Sequence, residues 1–309
     1  MTKLMDFSQA YYIKLGRGGA WESDAIATGK LRLGWGRQAE DDINAGRWDA
    51  IELQLRSEHS GKQRQVATND LNRLRDIAES GPDDVWITFH QAKLWWARLS
   101  AGEVEQDGIS KFRRTAGAWS DRSATGKLLV VNELPGKISQ LQGFRGTVCR
   151  VQHRELLQRV LGGTQSPLAR SIAVHRSGLA ELLEQAIKDL HWKDFETLAD
   201  LVFREAGWIR VSVLGQQAKG YDLELREPIT EERYVVQVKS RAGLQDLQAT
   251  VSGFSSNDYR KVFFVVHSPD DDLLSETNLP DHVELVLPSR LAGLAIDAGL
   301  SGWLEDKVS

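Results

Sequence analysis

The chain has 309 residues, 41% hydrophobic and 27% charged, which suggests two soluble globular domains. Its single cysteine, Cys149, excludes a disulfide framework and a multi-cysteine zinc site, and points to a reducing cytoplasm. No apolar run approaches a membrane span, and the opening MTKLMDFSQAYYIKLG lacks the apolar core of a signal peptide.

Charge divides the chain. Residues 1–160 carry 24 Lys and Arg against 20 Asp and Glu, net +4, whereas 161–309 carry 15 against 23, net −8. A polyanionic partner is therefore better received by the first half.

The first half reads as strand-rich. DDVWITFHQAKLWWARLS (83–100) predicts a strand pair, GKLLVVNEL (126–134) a further strand and FRGTVCRVQ (144–152) another. Between them TNDLNRLRDIAES (68–80) places Leu71, Leu74 and Ile77 at helical spacing. GRGG (16–19) reads as a tight turn, since it lacks the Lys-Ser/Thr of a phosphate-binding loop. GAWESDAIATGKL (19–31) and GAWSDRSATGKL (117–128) are nearly the same string, which raises an internal duplication or two similar loops. KFRR (111–114), with Lys127 and Lys137, is a candidate phosphate-contacting edge.

Residues 151–192 read as helical, with the breaker cluster GGTQSPLA (162–169) inside them. From 193 the order becomes helix, three strands, helix, two strands, helix. KDFETLADLVFREAGW puts Phe195, Leu198, Ala199, Val202 and Ala206 on one stripe, with Gly207 as terminating cap. WIRVSVL, YDLEL and RYVVQVK follow as strands, then LQDLQATVSGF as a helix, KVFFVVH and VELVLP as strands, and SRLAGLAIDAGL as a closing helix. Strands alternating with helices argue for a mixed α/β core.

Strand side chains alternate between faces. Val235, Gln237 and Lys239 therefore share one face, and the flanking valines imply a central strand. A hairpin through REPITEE can bring Asp222 beside Gln237 and Lys239, while Glu224 is expected to face solvent or DNA. One carboxylate, one amide and one ammonium at the end of a sheet suit phosphodiester hydrolysis. Asp222, the Gln237 amide oxygen and the Val238 carbonyl can ligate Mg²⁺, and Lys239 can hold or deprotonate the attacking water.

DFETLADLVFREAGW…KGYDLEL…YVVQVKS resembles the Mrr-type branch of the PD-(D/E)xK restriction endonucleases over about residues 193–300. The resemblance implies Asp222 as metal-binding Asp, Gln237 and Lys239 as the Q-x-K pair, and Glu196 as the first-helix Glu. It also implies Mg²⁺ as cofactor, with Mn²⁺ able to substitute, and DNA as substrate. The run before Asp222, GQQAKGYD, keeps Gly215 and Gly220 but is more polar than the family's usual glycine-rich turn. AYYIKLGRGGAWESD and GPDDVWITFHQAKLWWARL resemble a PUA-like or EVE-like β-barrel over roughly 10–150. That group binds modified bases in an aromatic pocket, for which Trp21, Trp35, Trp48, Trp95 and Trp96 are candidates.

The expected architecture is thus a mixed α+β chain in three parts. Residues 1–155 form a barrel-like DNA-recognition domain, 156–190 a helical linker, and 191–309 a restriction-endonuclease-like α/β nuclease domain. The expected activity is Mg²⁺-dependent, modification-dependent (type IV) restriction of foreign DNA in the cytoplasm. A double-strand cut needs two sites, so a homodimer on DNA is expected. The alternatives are a repair or junction-processing nuclease and a non-catalytic modified-base reader. No H-E-x-x-H or G-x-S-x-G motif supports another hydrolytic chemistry.

Overall fold

A computed structural model describes residues 5–58, 64–211, 221–254, 258–276 and 278–309. The chain forms two compact units, 1–166 and 167–309. Residues 161–166 are uncharged, so the units keep the +4 and −8 balance.

Unit 1 runs β1 (Ala10–Ile13), α1 (Glu22–Thr28), β2 (Lys30–Leu33), α2 (Glu40–Asn44), α3 (Trp48–Glu58), α4 (Arg64–Ala78), β3 (Val85–His90), β4 (Lys93–Ala97), β5 (Glu105–Gln106), β6 (Lys111–Arg114), α5 (Gly136–Ser139), β7 (Val148–Arg150) and α6 (Arg154–Gly162). β1 is central in a four-stranded sheet ordered β4-β3-β1-β7, parallel to β3 and antiparallel to β7. The parallel β1–β3 pairing requires a long crossover, and α1 to α4 lie in it. A second, three-stranded sheet is ordered β2-β6-β5. Leu71, Leu74 and Ile77 of α4 enter one core with Ile51 and Leu55 of α3, Ile13 and Trp86. α6 places Leu157 and Leu161 in the core on the other face of the β1 sheet, beside Tyr12 and Ile87.

The expected barrel is not what the described residues form: both sheets are open. The reason lies at 126–134. There GKLLVVNEL makes two isolated bridges, Arg122–Leu128 and Lys93–Val130, and then a 3-10 turn over Val131–Glu133. Pro135 next withholds a backbone donor, and no closing strand develops. The two near-identical strings also part company. The first folds as α1 and β2, the second as an irregular loop with two bridges, Trp96–Ser120 and Arg122–Leu128.

Unit 2 runs α7 (Pro167–Asp189), α8 (Trp192–Glu205), β8 (Ile209–Arg210), β9 (Leu223–Arg226), β10 (Arg233–Ala242), α9 (Leu244–Ser252), β11 (Lys261–Pro269), α10 (Asp271–Leu274), β12 (Val283–Val286), α11 (Pro288–Asp297) and α12 (Ser301–Lys307). Of the strand expected at 208–214, residues 212–214 lie outside the described residues, as do Gly215 and Gly220 of the following turn. One sheet is ordered β12-β11-β10-β9-β8, so β10 is central, as its valines require. β10 is parallel to β11 and antiparallel to β9. Leu183 and Ile187 of α7, Phe195, Leu198 and Val202 of α8, and Leu291 and Ala295 of α11 cover one face. Leu247 of α9 and Leu273 of α10 pack on the other, against Val235, Val262, Phe264 and Val266. α6 and α7, which span the segment expected as a linker, fall in different units. Among the described residues no helix is long and apolar enough to cross a membrane.

Candidate active site

The site is set by a register. Val236 of β10 pairs with Leu223 of β9, and the Asp222 N–H donates to the Val236 carbonyl at 3.1 Å. Asp222 is therefore held at the strand's start, opposite Gln237. Its Oδ2 accepts from the Val238 N–H at 2.7 Å and from Gln237 Nε2. Gln237 is buried, at 8% exposure, in an otherwise valine-rich strand. Lys239 follows two residues on, half-buried at the same end.

Burial pushes the Asp222 carboxyl above its ordinary range, with the Val238 N–H and the Lys239 charge pulling the other way. Glu196 occupies the first turns of α8, on its exposed side. Its carboxyl is also raised, first by desolvation and then by the charge of Asp222, with Lys193 opposing. The Asp222 charge raises the proton affinity of Glu196, a repulsion that a cation beside the two carboxylates would relieve. The four residues Glu196, Asp222, Gln237 and Lys239, distant in sequence, are thus electrostatic neighbours.

The donor set fits a hard divalent ion. Among the described residues no three His, Cys, Asp or Glu gather into a metal cluster. An ion here would rest on Asp222, Glu196 and neutral oxygens from Gln237 and the Val238 carbonyl, as Mg²⁺ accepts when it keeps several waters. The Gln237 amide turns its nitrogen to Asp222 and toward the Val238 carbonyl at 3.5 Å, so it would have to rotate for its oxygen to join a cation held by those two groups.

Sequence reasoning missed the Val238 N–H, which donates to the Asp222 carboxylate. The β9–β10 register is the signal that would have found it. Glu224 corrects an expectation, being 7% exposed and paired with Arg233 rather than facing solvent.

In unit 1, Trp21, Trp35, Trp48 and Trp95 are half-buried against the core of α3 and α4, and Trp96 against the opposite core. Trp95 and Trp96 face opposite ways, as strand alternation demands. Their indole N–H groups donate to the His90 and Arg122 carbonyls. GRGG forms a turn in which Gly16 has φ +83° and a Cβ would strike the Trp21 ring at 2.9 Å, so the glycine seats the tryptophan.

The candidate phosphate edge KFRR is largely internal. Lys111 and Arg113 are each 3% exposed. Lys111 donates to the Trp35 and Gly36 carbonyls, and Arg113 to those of Ile77, Ala78, Ser80 and Ser100. Arg114 is forked onto Glu105 and Lys127 is paired with Glu133, while Lys137 stays exposed.

A sheet that presents Asp and Gln-x-Lys on adjacent strands, with Glu on the preceding helix, is an arrangement suited to phosphodiester hydrolysis. Residues 187–270 match the restriction endonuclease family Mrr_cat, a span that includes all four residues. Two solved structures align over most of the chain at low similarity. The DNA modification-dependent restriction endonuclease AspBHI matches with 14% identity and a TM-score of 0.32, covering 91% of this chain and 80% of its own. The MspJI restriction endonuclease in complex with a 27-mer oligonucleotide matches with 13% identity and a TM-score of 0.24, covering 92% and 73%. No curated protein matches.

Proposed function

We propose that the chain is a DNA endonuclease of the modification-dependent restriction type, with unit 2 as its cutting domain. The observation that carries this reading is the desolvated Asp222 carboxylate, held by the Gln237 amide and the Val238 N–H beside Lys239, within the segment that matches Mrr_cat.

Asp222, Glu196, Gln237 and the Val238 carbonyl would hold Mg²⁺, or Mn²⁺ in its place. When bound, the ion neutralises charge on the phosphate and lowers the pKa of water. Lys239 orients the attacking water and offsets negative charge growing on the phosphoryl oxygens. Gln237 and the Val238 N–H fix the Asp222 carboxylate so that it does not reorganise during the reaction.

Unit 1, net +4, engages the duplex, and a base carrying a modification is its specific ligand. Two chains act together on the two strands, in the cytoplasm.

The test is cleavage of plasmids that are unmodified, cytosine-methylated, or hydroxymethylated and glucosylated, with Mg²⁺ present. Cutting confined to one modified plasmid supports both parts. Equal cutting of all three removes the modified-base reading and keeps the nuclease. No cutting by a folded chain removes the DNA nuclease reading.

A further inference from the structure

The positive balance of unit 1 has to be expressed somewhere on its surface, and several of its cations are already committed. Arg32, 1% exposed, is held by Asp24 and Asp107, and Lys30 shares Asp107. Lys111 and Arg113 are buried on backbone carbonyls. Lys93 is paired with Asp121.

A different arrangement occurs where α4 meets β7. A cavity of about 300 Å³ is lined by Asn72, Arg73, Arg75, Asp76, Glu79 and Arg150, with no apolar side chain among them. α4 builds it because Leu71, Leu74 and Ile77 turn into the core, which leaves Asn72, Asp76 and Glu79 on the outer stripe. Two guanidinium groups are seated on rings that belong to the core. The Arg75 Cζ lies 5.1 Å from the Trp48 ring centroid, and the Arg150 Cζ 5.7 Å from that of Tyr11. Tyr11 is itself stacked on buried Trp86 at 4.7 Å.

Three arginines face two carboxylates here. Asp76 is shared, its Oδ2 accepting from Arg73 at 3.0 Å and its Oδ1 from Arg150 at 2.9 Å. Arg75 approaches Glu79 only to 3.7 Å, and its buried Nε makes no hydrogen bond. Guanidinium forks pre-oriented on aromatic faces match the planar, bidentate demand of a phosphate. An all-polar lining offers nothing to an apolar ligand.

We infer that this cleft binds a phosphodiester of a DNA strand, gripped by Arg75 and Arg150 with Arg73 behind them. The inference rests on the reading that unit 1 engages DNA, and it names the surface that does so. Phosphate contacts carry no base information, so the cleft sets affinity and register while another part of the chain sets specificity.

The test is binding of the full chain to a labelled duplex by fluorescence anisotropy, without divalent ions, over about 50 to 200 mM salt. Arg75→Gln and Arg150→Gln should each weaken binding roughly three- to tenfold on modified and unmodified duplex alike. Each should also reduce the slope of log affinity against log salt by about 1. Asp76→Asn removes a competing carboxylate and should tighten binding, a gain that misfolding cannot produce. Wild-type affinity and slope in the double arginine variant would overturn the inference while leaving DNA binding by unit 1 standing. A wild-type chain that binds no duplex would overturn both.

Discussion

The two units use buried polar groups in opposite ways. Unit 1 buries Arg32, Lys111 and Arg113: two carboxylates hold the first, and the other two donate to backbone carbonyls, although burial lowers the pKa of both and the Arg113 Nε has no acceptor. These cations are structural. Unit 2 buries Gln237 and half-buries Asp222, and there the balance is incomplete, since burial still raises the carboxyl against its hydrogen bonds. A buried polar group whose partners satisfy it reports on folding. A desolvated carboxylate at the end of a central strand, beside Lys239 and close enough to raise Glu196, is instead a candidate for a ligand.

The contrast can be broken by mutation, and the largest effect belongs to unit 1. Arg113→Ala removes hydrogen bonds to four carbonyls in a dry interior and should cost about 3 kcal/mol or more. Urea unfolding followed by fluorescence would measure it, and a loss below about 1 kcal/mol would mean the arginine is not structural.

Asp222→Asn should behave oppositely. Because the fold raises this carboxyl, the folded chain holds the proton more tightly than the unfolded one. Stability is then highest below the unfolded pKa and falls as pH rises through the interval up to the folded pKa, leaving a fixed penalty at neutral pH. The asparagine variant should lose that pH slope and melt at the wild-type temperature or above it at pH 7, with cleavage abolished. A marked fall in Tm would make Asp222 a structural residue.

Mg²⁺ sharpens the same point with a smaller effect. At roughly ten times its dissociation constant it should raise the wild-type Tm by roughly 3–6 °C, and leave Asp222→Asn unmoved. Equal shifts in both would place the ion elsewhere. The smallest effect belongs to Arg114→Ala, which removes an exposed ion pair with Glu105 and should leave the urea unfolding midpoint essentially unchanged.

The units also differ in how far they could be read from sequence. In unit 2 the helical stripe of α8, the valine run of β10 and the short apolar β11 each carry one clear period, and their order defines the sheet. Gln237 and Lys239 stood out because they interrupt valines. Glu224 misled because alternation alone cannot tell a solvent face from a buried one where the carboxylate pairs with Arg233. α12 went unread because its seven residues bury only Leu304.

Unit 1 was harder for physical reasons. Its helices α1 and α2 are seven and five residues long, too short for a period to emerge. α3 has a faint one in Ile51 and Leu55. The run at 126–134 has strand composition, but contacts with neighbouring segments hold it in bridges and a turn. KFRR looked like surface from its charge, and only the fold shows that the Arg113 donors meet the carbonyls at the end of α4. The cleft of Arg73, Arg75 and Arg150 joins residues 75 positions apart, a juxtaposition that no local pattern announces.

The most direct test of the central claim is single-turnover cleavage of a susceptible duplex at saturating Mg²⁺, wild type against Lys239→Ala, with binding of each measured separately. If Asp222, Gln237 and Lys239 form the hydrolytic site, the rate falls by roughly 10²- to 10⁴-fold while affinity for the duplex is unchanged. Cleavage by Lys239→Ala at the wild-type rate, with the same ion requirement, would contradict the account and place the chemistry elsewhere in the chain.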